Sequence, residues 1–324
     1  MRDAFIQRLT ALAERDPRVI LVTGDLGFGV FDEFRRRFPA QFLNAGVAEQ
    51  NMTGVATGLA LEGFCVFTYS IANFAFMRCL EQIRNDAAYH RANVNVVAVG
   101  GGFSYGALGP SHHATEDLAI MRSIPGITVV APGDDFEAAE ATAAVAATAG
   151  TSYLRIDRSS AQSTDASRPV FELGQVRMMR DGNDLTLVTT GGVLGVALQA
   201  AERLAEAGVE CRVLSVHTLK PLDEAALLAA ARETGGVVTI EEHTVLGGLG
   251  GAVAETLLEA GASPRVFRRL GLRDCFSSIV GSQNYLRQRF GLDVEGVVRS
   301  SMAAIRQNAT CDAPGLQASS RNAA

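Results

Sequence analysis

Short apolar runs that end in glycine and pass into helical patterns set the tightest limit on how this chain folds. Val19-Ile20-Leu21-Val22-Thr23 runs into Gly24-Asp25-Leu26-Gly27-Phe28-Gly29, and Val94-Asn95-Val96-Val97-Ala98-Val99 ends at Gly100-Gly101-Gly102. Such runs lack polar alternation, so they read as strands buried on both faces, and helices between them make the strands parallel. Residues 3–14 carry a helical stripe of Phe5, Ile6, Leu9, Leu12 and Ala13. Cys65–Tyr69, Ile127–Pro132 and Ser152–Arg158 read as further strands, with an Ala-rich helix over 135–148. The second half repeats the alternation: Leu185–Thr189, a helix over 194–207, Glu210–Ser215, a helix from Asp223, then Val237–Ile240 and a helix opened by Gly247-Gly248-Leu249-Gly250-Gly251. With 33 glycines for strand–helix junctions and 324 residues, the expected fold is α/β: two open, mostly parallel-sheet domains, each with its own core. Their expected bounds are 1–158 and 170–307, with a polar, Ser-rich linker at 159–169 and a disordered Ala/Ser/Asn-rich tail at 308–324.

Charge and cysteine usage narrow the partners. Net charge is −6, and the one basic triplet, Arg35-Arg36-Arg37, sits beside acids and Phe38 as a solvated helix face, so no nucleic-acid partner is expected. The longest uncharged run, Leu185 to Ala201, is broken by glycines and threonines and reads as strand-turn-helix, so no membrane association is expected. Five cysteines without C-x-x-C spacing, behind an amphipathic Met1–Arg8 with no apolar signal core, point to reduced thiols and a cytoplasmic protein. Glu241-Glu242-His243 are adjacent and cannot all face one ion, so no metal site is expected on this chain.

Three stretches carry chemistry. In Phe42-Leu43-Asn44-Ala45-Gly46-Val47-Ala48-Glu49-Gln50-Asn51-Met52, Asn44 reads as an N-cap and Glu49 falls near the start of a helix to about Leu61. Alone, Glu49 is an acid complementing a helix dipole. In the second stretch Ile71, Phe74 and Met77 fall at i, i+3 and i+6 of a helix running to about Ala88; such a stripe is otherwise core. The third is the loop Phe103–Asp117, where His112 stands among Gly, Pro and Ser, a setting more functional than structural. Asp25 follows a strand in a Gly-rich turn that has neither G-x-G-x-x-G nor a P-loop lysine. Arg158, at a strand end, reads as a salt-bridge partner or a ligand.

Together these stretches resemble the transketolase family of thiamine diphosphate enzymes. The first resembles N-x-G-I-A-E-Q-N-M, which implies that Glu49 bonds the cofactor's aminopyrimidine and works as a general acid/base relayed through it. The resemblance places Asp25 at the cofactor and gives Ile71, Phe74 and Met77 the ring-holding positions. The loop resembles G-x-x-x-G-P-T-H-Q-x-x-E, which aims His112 at the substrate carbonyl and puts His113 where a Gln is usual. Arg158 matches an arginine that binds the acceptor phosphate. Two departures stand out: Ala107-Leu108 replaces an acidic pair that meets an acceptor hydroxyl, and Gly100 replaces a phosphate-contacting His. A less polar or unphosphorylated acceptor is therefore expected, with Leu108 facing it. Glu241-Glu242-His243 resembles a family segment that is chiefly structural and lies at subunit contacts.

The family's G-D-G motif, followed by Asn about thirty residues on, is missing: Gly24-Asp25 continues with Leu26, and Asp181-Gly182 follows Arg180. The resemblance, over roughly residues 3–307, therefore implies that a partner chain supplies the diphosphate-binding half and holds Mg2+ or Ca2+, in an α2β2 assembly acting on small-molecule carbonyl compounds. The implied reaction moves a two-carbon ketol or related acyl unit. Two other readings stay open. A 2-oxo acid dehydrogenase beta subunit shares both domains, but Gly271-Leu272-Arg273-Asp274-Cys275-Phe276-Ser277-Ser278 resembles the transketolase ending and the Pro/Tyr-rich dehydrogenase segment is missing. A non-catalytic scaffold is the other, against which stand Glu49 and His112.

Overall fold

The computed structural model describes residues 1–27, 29–161 and 171–311, the last four by backbone alone. The first half runs α1 (Arg2–Arg15), β1 (Val19–Thr23), α2 (Asp32–Arg37), β2 (Phe42–Asn44), α3 (Glu49–Leu61), β3 (Cys65–Ile71) and α4 (Ala72–Phe76). It continues with β4 (Val94–Val99), α5 (Asp117–Ser123), β5 (Thr128–Val130), α6 (Asp135–Ala147) and β6 (Ser152–Ile156). The second half comprises β7 (Arg177–Arg180), β8 (Leu185–Thr189), α7 (Leu194–Glu206), β9 (Cys211–Ser215), β10 (Thr218–Lys220) and α8 (Glu224–Glu233). It ends with β11 (Gly236–Thr244), α9 (Leu249–Glu259), β12 (Val266–Leu272), α10 (Gln283–Phe290) and α11 (Val294–Cys311).

Seven strands make one sheet in the order β10-β5-β6-β4-β3-β1-β2, parallel except where β10 meets β5. Five make the other, β12-β11-β8-β9-β7, parallel except at the edge strand β7. The mostly parallel α/β architecture expected from the apolar runs is the observed one. Successive residues of a strand face opposite sides of its sheet, and β1 shows the result. Leu21 packs with Phe5 and Leu9 of α1 and Ala138 of α6, while Ile20 and Val22 pack with Met52 and Ala56 of α3 and Phe76 of α4. Both faces are covered, which is why the run carries no polar alternation.

Each half has a cluster of its own, but a third cluster is shared between them. The cluster beneath α3 and α4 continues through Leu214 of β9, Leu219 of β10, Leu227 of α8 and Val253 of α9. The second half also lends β10 to the first sheet, with Thr218 opposite Val130. Three residues are too few to show a period, so nothing in the sequence marks this strand. The far face of the second sheet has its own cluster, with Leu187 and Val213 against Ala197 and Leu204 of α7 and Val297 of α11.

Three local expectations change. Asn44 is not the N-cap of α3; Ala48 is, without a side-chain cap, and Asn44 ends β2. The single helix expected through Ala88 is broken: α4 stops at Phe76, and after a turn a π-helical segment spans Gln82–Ala88. Helix α11 runs on to Cys311, into the span read as tail. The rest of that tail, and most of the 159–169 linker, lie outside the described residues. Among the described residues no helix is long and apolar enough to cross a membrane, and Cys65, Cys79, Cys211 and Cys275 are free.

Candidate active site

Glu49 opens α3 where the chain leaves β2, and its side chain is buried, with 4% of its surface exposed. An ionised carboxylate so placed needs a partner. Arg78 provides it: one terminal nitrogen, Nη1, lies 3.1 Å from each Glu49 oxygen. The Arg78 guanidinium also lies over the Phe74 ring, 4.1 Å from its centroid, in a cation–π contact. The Phe74 ring in turn meets the His112 ring edge-on at 5.1 Å. Glu49, Phe74 and His112, each picked from a different stretch of sequence, are thus joined through one arginine. An open cleft of about 370 Å³, lined by Val47, Gln50 and Asn51 among others, gives access to Glu49 and Arg78.

The strand ends set the floor of this site. A Cβ on Gly24, just past β1, would sit 3.4 Å from Glu49 Cγ and 3.7 Å from Ser70 Oγ, so these three residues of separate elements converge. Ser70 Oγ is buried with no hydrogen-bond partner, an unusual state for a hydroxyl and one that a bound group could relieve. Next to Gly24, Asp25 takes a left-handed φ of 58°. Asn44 holds it there: its Oδ1 accepts from Asp25 N at 3.1 Å and its Nδ2 donates to Asp25 Oδ1 at 2.8 Å. Clamping this turn, rather than capping α3, is what Asn44 does.

The His112 loop is fastened from several sides. Asn73 Nδ2 donates to Ser111 O at 2.7 Å, tying the loop to α4. Ser111 Oγ lies 3.0 Å from His112 Nδ1. His113 is buried behind it, and Gly106 O, 3.2 Å from Nε2, can only accept, so Nε2 carries the proton and Nδ1 accepts from Ser277 Oγ. Burial holds the His113 pKa below its ordinary value, in keeping with a neutral ring. His113 is therefore a strut, and His112, half-exposed, is the ring the loop presents.

At the far end the loop departs from the polar site its relatives' motif implies. Gly100 has φ 91°, and a Cβ there would run into the ring of Tyr105. Tyr105 fills the space a larger residue at 100 would need. Its ring lies 6.4 Å from that of His112 and carries the Arg158 guanidinium at 5.7 Å. Arg158 is exposed and, among the described residues, has no carboxylate partner. Leu108 ends a short turn and is exposed at 55%. Ile71 is the half-buried last residue of β3. Met77 does not face the Glu49 cleft; with Asn73, His113 and Phe276 it lines another, of about 690 Å³. The expected helical line does not form, because Ile71 still belongs to β3 and only Phe74 and Met77 follow helical backbone.

Sequence reasoning missed Arg78 and Tyr105. Phe74 and Arg78 are four residues apart, a spacing that brings side chains together on a helix and the one available signal. Tyr105 gives none, since its contact with Gly100 depends on how the loop returns.

The pattern known as "Transketolase, pyrimidine binding domain" matches residues 1–163, and "Transketolase, C-terminal domain" matches residues 174–297. The chain belongs to the transketolase family. It is 40% identical over 302 residues to the 6-deoxy-6-sulfo-D-fructose transketolase subunit SqwH of Clostridium sp. (strain MSTE9), covering 93% of each chain. It is 35% identical to one subunit of the apulose-4-phosphate transketolase of Phocaeicola vulgatus, covering 94% of this chain and 97% of that one. Among solved structures, a split gene transketolase described as an inactive beta4 tetramer superposes with a TM-score of 0.84 at 35% identity, over 94% of this chain and 97% of that one. The transketolase of Campylobacter jejuni shares the fold at a TM-score of 0.77 and 20% identity; this chain covers 46% of it. The chain thus covers nearly the whole length of these related subunits and about half of the Campylobacter jejuni transketolase.

Proposed function

We propose that this chain is the pyrimidine-binding subunit of a two-chain, thiamine diphosphate-dependent transketolase that moves a two-carbon ketol unit between carbonyl compounds. The observation that carries the reading is the buried Glu49 carboxylate beside the Phe74 ring, with His112 on the other side of that ring. These residues fit the flat half of the cofactor. Phe74 offers a ring face that already accepts a planar cation, Glu49 a buried carboxylate and Ser70 an unpartnered hydroxyl. When bound, thiamine diphosphate supplies the electron sink that lets a carbon–carbon bond beside a carbonyl break. Glu49 holds and moves a proton at the far pyrimidine nitrogen. His112, steadied by Ser111 and the His113 strut, donates a hydrogen bond to the substrate carbonyl oxygen.

The diphosphate and its Mg2+ or Ca2+ belong to a partner chain carrying the G-D-G motif, in an α2β2 enzyme. Supporting this, the sequence carries no G-D-G string, and the related subunits are of similar length. The acceptor end favours a substrate without the usual sugar-phosphate contacts, because Tyr105 covers Gly100 and Leu108 offers no hydrogen bond. A hydroxyl buried there by assembly with the partner chain, and left unpaired, would cost roughly 1–3 kcal/mol. Arg158 remains available for an anionic group of another shape. The test combines this chain with a G-D-G subunit. Turnover is expected from the mixture and not from either chain alone. The mixture is expected to prefer an unphosphorylated deoxy-aldehyde over ribose 5-phosphate, and Leu108→Asp is expected to narrow that preference. Turnover by the isolated chain would sink the two-chain reading, and a wide wild-type preference for ribose 5-phosphate would sink the acceptor reading.

A further inference from the structure

The second domain holds a basic cleft with no place in the reaction above. Strand β12 is the outer strand of its sheet, and its side chains alternate between two faces. Arg268 reaches α11 and bonds Gln307, whereas Arg269 turns the other way and donates to Val245 O at 2.9 Å. Past the strand end, Arg273 donates back to Arg269 O at 3.2 Å. Arg289, in the last turn of α10, has no partner among the described residues. Arg268, Arg273 and Arg289 line one concavity of about 590 Å³, together with Phe290, Ser300 and Gln307.

Among the described residues, no Asp or Glu lines this cleft. Other arginines of the chain, such as Arg8, Arg18, Arg212 and Arg287, hold carboxylates. Asp274, the acid next in sequence, lines the separate cleft shared with His113 and Phe276. Arginines drawn to one hollow without a counter-ion repel one another and present a positive field to solvent. Their forked donors match the oxygens of a phosphate group, and charge-assisted bonds of this kind are among the stronger ones available. Phe290 and Leu270 add an apolar wall, and the volume is that of a small-molecule site.

We propose that this cleft is a binding site for phosphate, either inorganic phosphate or the phosphate group of a small organic ester, distinct from the Glu49–His112 site. It does not rest on the transketolase reading, and its test does not use turnover. The full chain is titrated with inorganic phosphate and with glucose 6-phosphate at fixed ionic strength, by calorimetry. Wild type, Arg289→Gln, Arg273→Gln/Arg289→Gln and Arg158→Gln are compared. The expected result is saturable binding at one site, weakened by roughly tenfold in each variant that lacks Arg289 and unchanged in Arg158→Gln. Tighter binding of the ester than of phosphate assigns the organic source, and equal binding assigns the free ion. Arg289 is exposed and unpartnered, so the single variant folds as wild type does and decides the matter if the double variant fails to fold. Absence of saturable binding, or binding lost in Arg158→Gln and kept in Arg289→Gln, overturns the proposal.

Discussion

His217 offers a quantitative check on how the two halves are joined. It immediately precedes β10, is fully buried, and stacks on Phe171 at 4.3 Å. Its Nδ1 lies 2.8 Å from Thr218 Oγ1, and its Nε2 has no partner. Burial first, and then the positive charge of Arg177, pushes its pKa from 6.5 down to about 3. Arg177 is itself held in place by Asp134 and Glu137. In the unfolded chain His217 takes up a proton below about pH 6.5, and the folded chain refuses it until about pH 3, so stability falls as pH drops through that window. With those two values, the loss between about pH 7 and about pH 5 comes to about 2 kcal/mol from this residue. His217→Phe keeps a ring against Phe171 and cannot titrate; at neutral pH it forfeits one hydrogen bond, about 1 kcal/mol. Urea unfolding of both proteins at the two pH values gives the comparison. Wild type should lose about 2 kcal/mol more than His217→Phe on acidification. Equal losses in the two proteins would show that His217 is not held neutral at this junction, and the reasoning from its burial would fail.

Two other outcomes follow from single contacts. In the reconstituted enzyme, Glu49→Gln keeps the shape of the side chain but cannot exchange a proton, so the rate should fall by on the order of a hundredfold with an unchanged circular dichroism spectrum; a rate near wild type would leave Glu49 as a helix-end acid held by Arg78. Arg287→Met should cost about 3–5 kcal/mol, read from urea unfolding. The reason is that it strands Glu242, which also accepts from Phe103 N and from Gln283 Nε2 at 2.8 Å and is 2% exposed; a loss under about 1 kcal/mol, the surface-pair range, would contradict that account.

What the sequence determined by itself was set by local periodicity and by strings short enough to be read in place. Unalternating apolar runs require strands covered on both faces, and glycine-ended runs followed by helices require parallel pairing, so the two α/β sheets were legible. Glu49, Phe74 and His112 were legible because each sits in a contiguous motif, and the motifs resemble those of one family. The tertiary structure alone decided how these residues meet. Arg78 reaches Glu49 across 29 positions, and Glu242 reaches Phe103 across 139. Contacts so distant in sequence leave no period to detect. Asn44 shows the same limit on a smaller scale: its composition allowed a cap, but Asp25, 19 residues earlier, captured its side chain first. The shared core and the three residues of β10 were likewise invisible, because a strand that short is stabilised by its neighbour β5 and not by any pattern of its own.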